Sequence, residues 1–447
     1  MFNRLIAPAL AAALAATAGP ASALLPIQYW QTAGGARVYF VENHDLPMLD
    51  LSVEFPAGAG YDRPAKAGAA SMTQRLLRAG ADKMTEEDVE QRLADVGAQL
   101  GGRFDNDRAG LSLRTLSSAR ERQQALDVFA RVLRAPDFPR AVLEREKVRL
   151  IGSLKEADTR PDTIVSRTFY RMAYGDHPYA LRDSGEVETV KALAREDLVQ
   201  FHRRHYVARY AVVALIGDVT RAEAEAIAEQ VTGGLPKSSA EEPVLPPVKG
   251  LASGATRSIP HHAAQAHIVI GAPGISRTDP DYIALFVGNF VLGGGGFVSR
   301  IMEEVRSKRG LAYSAASYFY PLQREGPFVI SMQTRRDQAT QALEVAQATL
   351  AEFVKSGPSE EELAAAKRNI VNGFPLRIDS NRKIHEYLAT IGFYRLPLTY
   401  LDDFVRNVQS VTAAEIRDAF QRRIRPDRMV TVVVGGEPAK AAGAGAR

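Results

Sequence analysis

The chain has 447 residues, 46% of them hydrophobic and 24% charged, with a net charge of +4 and no cysteine. That length suffices for two or three domains. The missing thiols exclude disulfides, thiolate metal sites, thiol catalysis and a lipid-anchored N-terminal cysteine. Acidic and basic residues alternate without forming a basic block, and no nucleic-acid motif accompanies the small excess of positive charge.

In chain order, the first element is an export signal. Arg4 supplies the positive start, residues 5–16 the apolar run, and Ala21-Ser22-Ala23 the small-residue cleavage site. The run is too short to span a bilayer, which takes about 20 residues. Cleavage is expected after Ala23, leaving an exported chain with no membrane anchor. A cysteine-free exported protein fits the periplasm.

Residues 37–40 and 49–55 read as strands and 68–80 as an amphipathic helix, with Met72, Leu76 and Leu77 on its apolar side. Residues 118–133 have helical periodicity, residues 144–153 continue as a second helix, and the Val-rich run 212–217 ends in glycine. Residues 233–254 are rich in Pro, Gly and Ser and read as a linker. The order then repeats. Residues 337–354 are again helical, and the run 430–435 again ends in glycine. Residues 192–198 and 212–217 find counterparts 218 residues later. A series of matches in one order predicts two homologous α+β domains, each a mainly antiparallel sheet with helices packed on one face. The expected division is a signal at 1–23, domains at 24–232 and 255–437, a linker at 233–254 and a disordered tail at 438–447.

Three segments carry a family resemblance. Residues 68–80 read G-A-A-S-M-T-Q-R-L-L-R-A-G, residues 176–179 read D-H-P-Y, and residues 305–314 read V-R-S-K-R-G-L-A-Y-S after the glycine run 293–296. Together they resemble the pitrilysin/insulinase-type zinc metallopeptidases. In the register of that family's H-x-x-E-H motif, Ser71 and Arg75 replace the histidines and Gln74 replaces the glutamate. The further glutamate ligand falls on Ser153, or on Ile151 if the register slips by two. None of these offers an imidazole or carboxylate to zinc, and Gln74 cannot serve as a general base. The resemblance therefore implies a chain without its own metal.

The same resemblance gives Arg306 and Tyr313 a role, as a guanidinium and a phenol that bind substrate and donate to the oxyanion of peptide hydrolysis. Gly293, Gly294, Gly295 and Gly296 lack the Gly-Lys-Ser/Thr ending of a phosphate loop. They read either as a tight turn or as a lip that touches substrate. The scattered histidines, including the His202/His205 pair, have no ligand pattern. The implied function is that of an accessory subunit in a periplasmic heteromeric zinc endopeptidase. Zinc and base would come from a homologous partner carrying H-x-x-E-H, and unfolded peptides would be the substrates. The alternative is a non-enzymatic peptide-binding or scaffold protein of the same fold.

Overall fold

The computed structural model describes residues 26–436. The signal at 1–23 and the tail at 438–447 lie outside them. The first half runs β1 (Gln28–Gln31), β2 (Arg37–Glu42), β3 (Met48–Phe55), α1 (Ala69–Leu76), the small hairpin β4 (Gly80–Ala81) and β5 (Met84–Thr85), α2 (Glu86–Ala94), β6 (Gln99–Phe104) and β7 (Ala109–Leu116). It continues through α3 (Ala119–Arg134), α4 (Arg140–Ala157), α5 (Pro161–Tyr174), α6 (Val187–Lys191), α7 (Arg195–His205), β8 (Val212–Gly217) and α8 (Arg221–Thr232). Residues 233–254 contain no helix or strand. The second half begins with β9 (Ala255–Ile259), β10 (Gln265–Ile275), α9 (Tyr282–Asn289), α10 (Arg300–Met302), β11 (Ala312–Phe319) and β12 (Gly326–Arg335). It closes with α11 (Ala339–Ser356), α12 (Glu360–Gly373), α13 (Asn381–Tyr394), α14 (Tyr400–Ser410), α15 (Ala413–Arg423) and β13 (Val430–Val434).

Helix starts follow local chemistry. Thr85, Thr220, Ser359 and Thr412 each open a helix with a capping box, closed by Asp88, Glu223, Glu362 and Glu415. Asp62 accepts the Gly68 and Ala70 N–H groups at 2.7 and 2.8 Å and so anchors the start of α1.

The two sheets are copies. Their strand orders are β1-β2-β8-β3-β7-β6 and β11-β12-β10-β13-β9. All pairs are antiparallel except β2 with β8 and β9 with β13. In the first exception Arg37 pairs with Val212, and in the second Ala255 pairs with Val430. Both partners have moved on by the 218-residue spacing seen in the sequence. Among the described residues of the two large sheets, β1 alone lacks a counterpart. The strand-ending glycines also match. Gly217 (φ +147°) and Gly435 (φ +82°) both need positive φ, and a Cβ on Gly217 would sit 2.1 Å from the Met48 carbonyl oxygen.

One face of each sheet is covered by its own half's helices, including α1, α3 and α7 in the first half and α9, α11 and α15 in the second. The other face is covered by exchange. Helix α5 packs on β10 and β13 of the second sheet through Val165 and Phe169. Helix α13 packs on β2, β3 and β8 of the first sheet through Ile384, Leu388 and Ala389. Gly392 lets α13 sit close, since a Cβ there would lie 2.5 Å from Val212 Cγ1. The sequence predicts helices on one face; the second face of each sheet is supplied by the opposite half.

Candidate functional site

Helix α1 buries Met72, Leu76 and Leu77 completely, as its periodicity predicts. Its outer side presents Ser71 and Gln74, both half-buried, and Arg75, which is exposed. Gln74 reaches over β6, the edge strand of the first sheet. A Cβ on Gly102 would lie only 2.1 Å from Gln74 Nε2. Arg75 Nη1 lies 3.5 Å from Glu146 Oε2 on α4.

Glu146 is the carboxylate that the sequence reading did not single out. It also accepts from Arg145 Nε at 3.2 Å and Arg149 Nη1 at 3.0 Å. Burial pushes its pKa up, but hydrogen bonds from Arg145 and Arg149 and the charges of Arg149 and Arg75 hold it below the ordinary glutamate range. Ser153 is exposed and stands seven residues along α4, two turns away on the same face as Glu146. Ile151 packs against the core. The carboxylate that pairs with Arg75 of the motif is thus occupied by three guanidiniums. A cation-rich cluster with no imidazole does not fit zinc. Among the described residues no group of three or more His, Asp or Glu side chains is placed to hold a metal ion.

His177, His202 and His205 have structural partners. His202 bonds the Leu133 carbonyl through Nε2 and His205 the Pro56 carbonyl through Nδ1, each at 2.9 Å. Burial pushes the pKa of each down to about 4. The D-H-P-Y segment belongs to the joint between halves. His177 Nε2 bonds the Pro246 carbonyl at 3.0 Å, and the Tyr179 hydroxyl donates to Asp107 at 2.5 Å. Asp107 also accepts from the Tyr394 hydroxyl at 2.8 Å and the Gln323 N–H at 2.6 Å, both from the second half.

Arg306 and Tyr313 are brought together on the second half. Arg306 lies in a π-helical turn at residues 303–307, and Tyr313 is the second residue of β11, an edge strand of the second sheet. The β11–β12 register shifts between Ala312 and Ser314, so Tyr313 is the extra residue of a β-bulge. A bulge re-aims its side chain away from the ladder, and Tyr313 is 79% exposed. The Arg306 guanidinium carbon lies 4.9 Å from the Tyr313 ring centre and 4.6 Å from that of Phe297. These are cation–π distances. Among the described residues, no carboxylate forms an ion pair with Arg306.

The glycine run builds the rim beside this pair. A second π-helical turn at residues 290–294 carries Gly293 and Gly294. Gly293 packs directly on β11, where a Cβ would lie 2.4 Å from Ser317 Oγ. Asn289 ties the same turn to Ser317, accepting from its hydroxyl at 2.6 Å and donating to its carbonyl at 3.0 Å. Gly295 approaches Phe290, and Gly296 takes φ +65° in open space. The turn they form presents Phe297 and Val298 at 70% and 75% exposure. Phe297 was not expected from the sequence. Its only signal was an aromatic residue directly after four glycines.

Comparison with known proteins identifies the family. Residues 37–183 match the family described as insulinase (peptidase family M16), and residues 192–370 match the peptidase M16 inactive domain. A solved peptidase M16 inactive domain from Pseudomonas fluorescens is 37% identical with a TM-score of 0.89, covering 93% of this chain and all of that one. The non-peptidase homolog YmxG of Helicobacter pylori is 24% identical over 407 residues, 90% of this chain and 92% of the relative. The fold also resembles the periplasmic protease PqqL from Escherichia coli, 14% identical with a TM-score of 0.77, over 92% of this chain and 45% of that one. The chain therefore belongs to peptidase family M16, as a member of its inactive, zinc-motif-lacking type.

Proposed function

We propose that this protein is the accessory subunit of a periplasmic heteromeric zinc endopeptidase, with domains at 24–232 and 255–437 forming half of a substrate chamber. Its homologous partner carries H-x-x-E-H and supplies the zinc and the general base. This chain supplies Arg306 and Tyr313. The observation that carries the reading is the bulge at Tyr313, which holds the phenol beside an Arg306 that has no carboxylate partner among the described residues.

A guanidinium and a phenol hydroxyl can both donate to a peptide carbonyl oxygen as negative charge develops on it. Phe297 and Val298, on the glycine turn, offer apolar surface to the flanking substrate side chains. β11 is an edge strand, so an extended peptide can add to its open side through backbone hydrogen bonds. That favours unfolded substrates over folded ones. The scaffold alternative has no use for an exposed bulge tyrosine held beside an arginine that lacks a carboxylate partner among the described residues.

The test is co-expression with a candidate H-x-x-E-H partner, followed by size-exclusion chromatography and a peptide-hydrolysis assay. The proposal requires a co-eluting complex that cleaves peptides while this chain alone does not. A partner that is fully active without this chain would refute it.

A further inference from the structure

A cleft of about 850 Å³ lies between the halves, beneath the C-terminal end of α13. Small-molecule sites are commonly this large and commonly sit at domain junctions. None of Arg306, Tyr313 and the glycine run lines it.

The alternation of β2 builds its floor. Val38 and Phe40 point into the first core, so Arg37 and Tyr39 point the other way, into the cleft. Arg277 and Gln323 of the second half form the facing wall, and Glu242 from the connecting segment closes one side.

Arg37 is the unusual group. It is only 7% exposed, yet none of its three guanidinium nitrogens has a hydrogen-bond partner. Its nearest carboxylate, Glu242, is 3.8 Å away and is already bonded to Arg395 at 2.6 Å. Arg277 also has an unpartnered Nε, while its other nitrogens bond the hydroxyls of Tyr282 and Tyr400. A buried guanidinium with no hydrogen-bond partner is costly. Its planar fork suits a carboxylate, which can accept two parallel hydrogen bonds.

The rest of the lining selects among anions. Arg37, Arg209, Arg277 and Arg395 face Glu241 and Glu242, so positive charge is in modest excess. The two glutamates offset half of that positive charge, so the lining suits a singly charged carboxylate better than a polyanion. Tyr29, Tyr39 and Val244 offer apolar surface to an organic body.

We propose that this cleft binds a monoanionic organic carboxylate with an aromatic or aliphatic body, held by the Arg37 guanidinium. Such a carboxylate belongs either to a free small acid or to the C-terminus of a short peptide. A bound ligand would touch both halves and the segment joining them.

Isothermal titration calorimetry on the full chain tests this with N-acetylphenylalanine, N-acetylphenylalanine amide, and a glycine pentapeptide ending in phenylalanine, as free acid and as amide. Saturable binding of the acids and none of the amides is expected. Binding of the small acid alone points to a free acid as ligand; binding of the peptide acid as well points to a C-terminus. Arg37→Met should weaken binding at least about tenfold, as expected for one charge-assisted hydrogen bond. Glu242→Gln should tighten it, because it removes a competing carboxylate while leaving Arg37 in place. The Glu242→Gln result decides the matter even if Arg37→Met fails to fold. Equal binding of acid and amide, no saturable binding of either acid, undiminished binding by Arg37→Met, or weaker binding by Glu242→Gln would each overturn the proposal.

Discussion

The two halves share one fold and differ in what they do with corresponding positions. Helix α1 in the first half and α9 in the second both run beneath the edge strand of their own sheet. In the first half, the motif positions that follow α1 outward are closed off: Arg75 is drawn to Glu146, and two more arginines complete the cluster. In the second half the helix unwinds into a π turn and a glycine run, and the edge strand bulges at Tyr313. There, Arg306 has aromatic neighbours and no ion pair among the described residues. A duplicated scaffold thus holds one position closed by internal ion pairing and one where an arginine has aromatic neighbours and no ion pair among the described residues.

The comparison breaks most visibly if the closed site can be reopened. Ser71→His, Gln74→Glu, Arg75→His and Ser153→Glu together should restore a ligand set and a base at α1 and α4. Metal analysis is expected to rise from none in the native chain to about one zinc in the variant. A folded variant that takes up no zinc would show the register to be wrong, and a native chain with one tight zinc would contradict the assignment outright.

Acid should separate the halves next. His202 and His205 are both on α7, and the matching positions on α15, 218 residues on, are Phe420 and Arg423. Their folded pKa values near 4 lie below the unfolded value of about 6.5. Between those values the unfolded chain binds more protons. The stability they confer is complete above about pH 6.5 and is lost as pH falls toward 4, at up to about 1.4 kcal/mol per pH unit per ring. His202→Gln with His205→Asn keeps both hydrogen-bond donors and removes the titration. Hydrogen exchange should show α7 losing protection before α15 on acidification in the native chain, and that difference should shrink in the variant.

Gly293→Ala sharpens the account of the open half. The added Cβ would meet Ser317 Oγ at 2.4 Å and Ser317 N at 2.6 Å. The expected cost is about 1–3 kcal/mol of stability, read as a fall in melting temperature. A change in KM without any loss of stability would instead assign this glycine to substrate contact. Phe297→Ala, which removes one cation–π partner, should have the smallest effect. About 0.5–1 kcal/mol, or a roughly two- to fivefold rise in KM of the assembled complex, is expected.

Periodicity and the 218-residue spacing made the duplicated sheets and the amphipathic α1 legible from the chain alone. The Arg/Tyr pair was legible because its residues are only seven apart and sit in a specific local segment. What stayed hidden depends on distant partners or on register. The exchange of α5 and α13 joins each helix to the opposite half's sheet, and no local pattern announces it. Asp107 gathers Tyr179, Tyr394 and Gln323 across separations of 72, 287 and 216 residues. The bulge at Tyr313 is a one-residue slip against β12, which the sequence of β11 alone does not encode. Glu146 stayed hidden because the family register sets the ligand at position 151 or 153. The carboxylate stands up to two turns earlier on the same helix.

Replacement of one hydroxyl tests the central claim most directly. Tyr313→Phe removes a donor and little packing, because the ring is 79% exposed. In a complex with the H-x-x-E-H partner, at zinc content equal to wild type, steady-state peptide hydrolysis should show kcat lowered by about 10²–10³, with assembly intact by size-exclusion chromatography. Unchanged kcat and kcat/KM would contradict the account and leave the chain a scaffold.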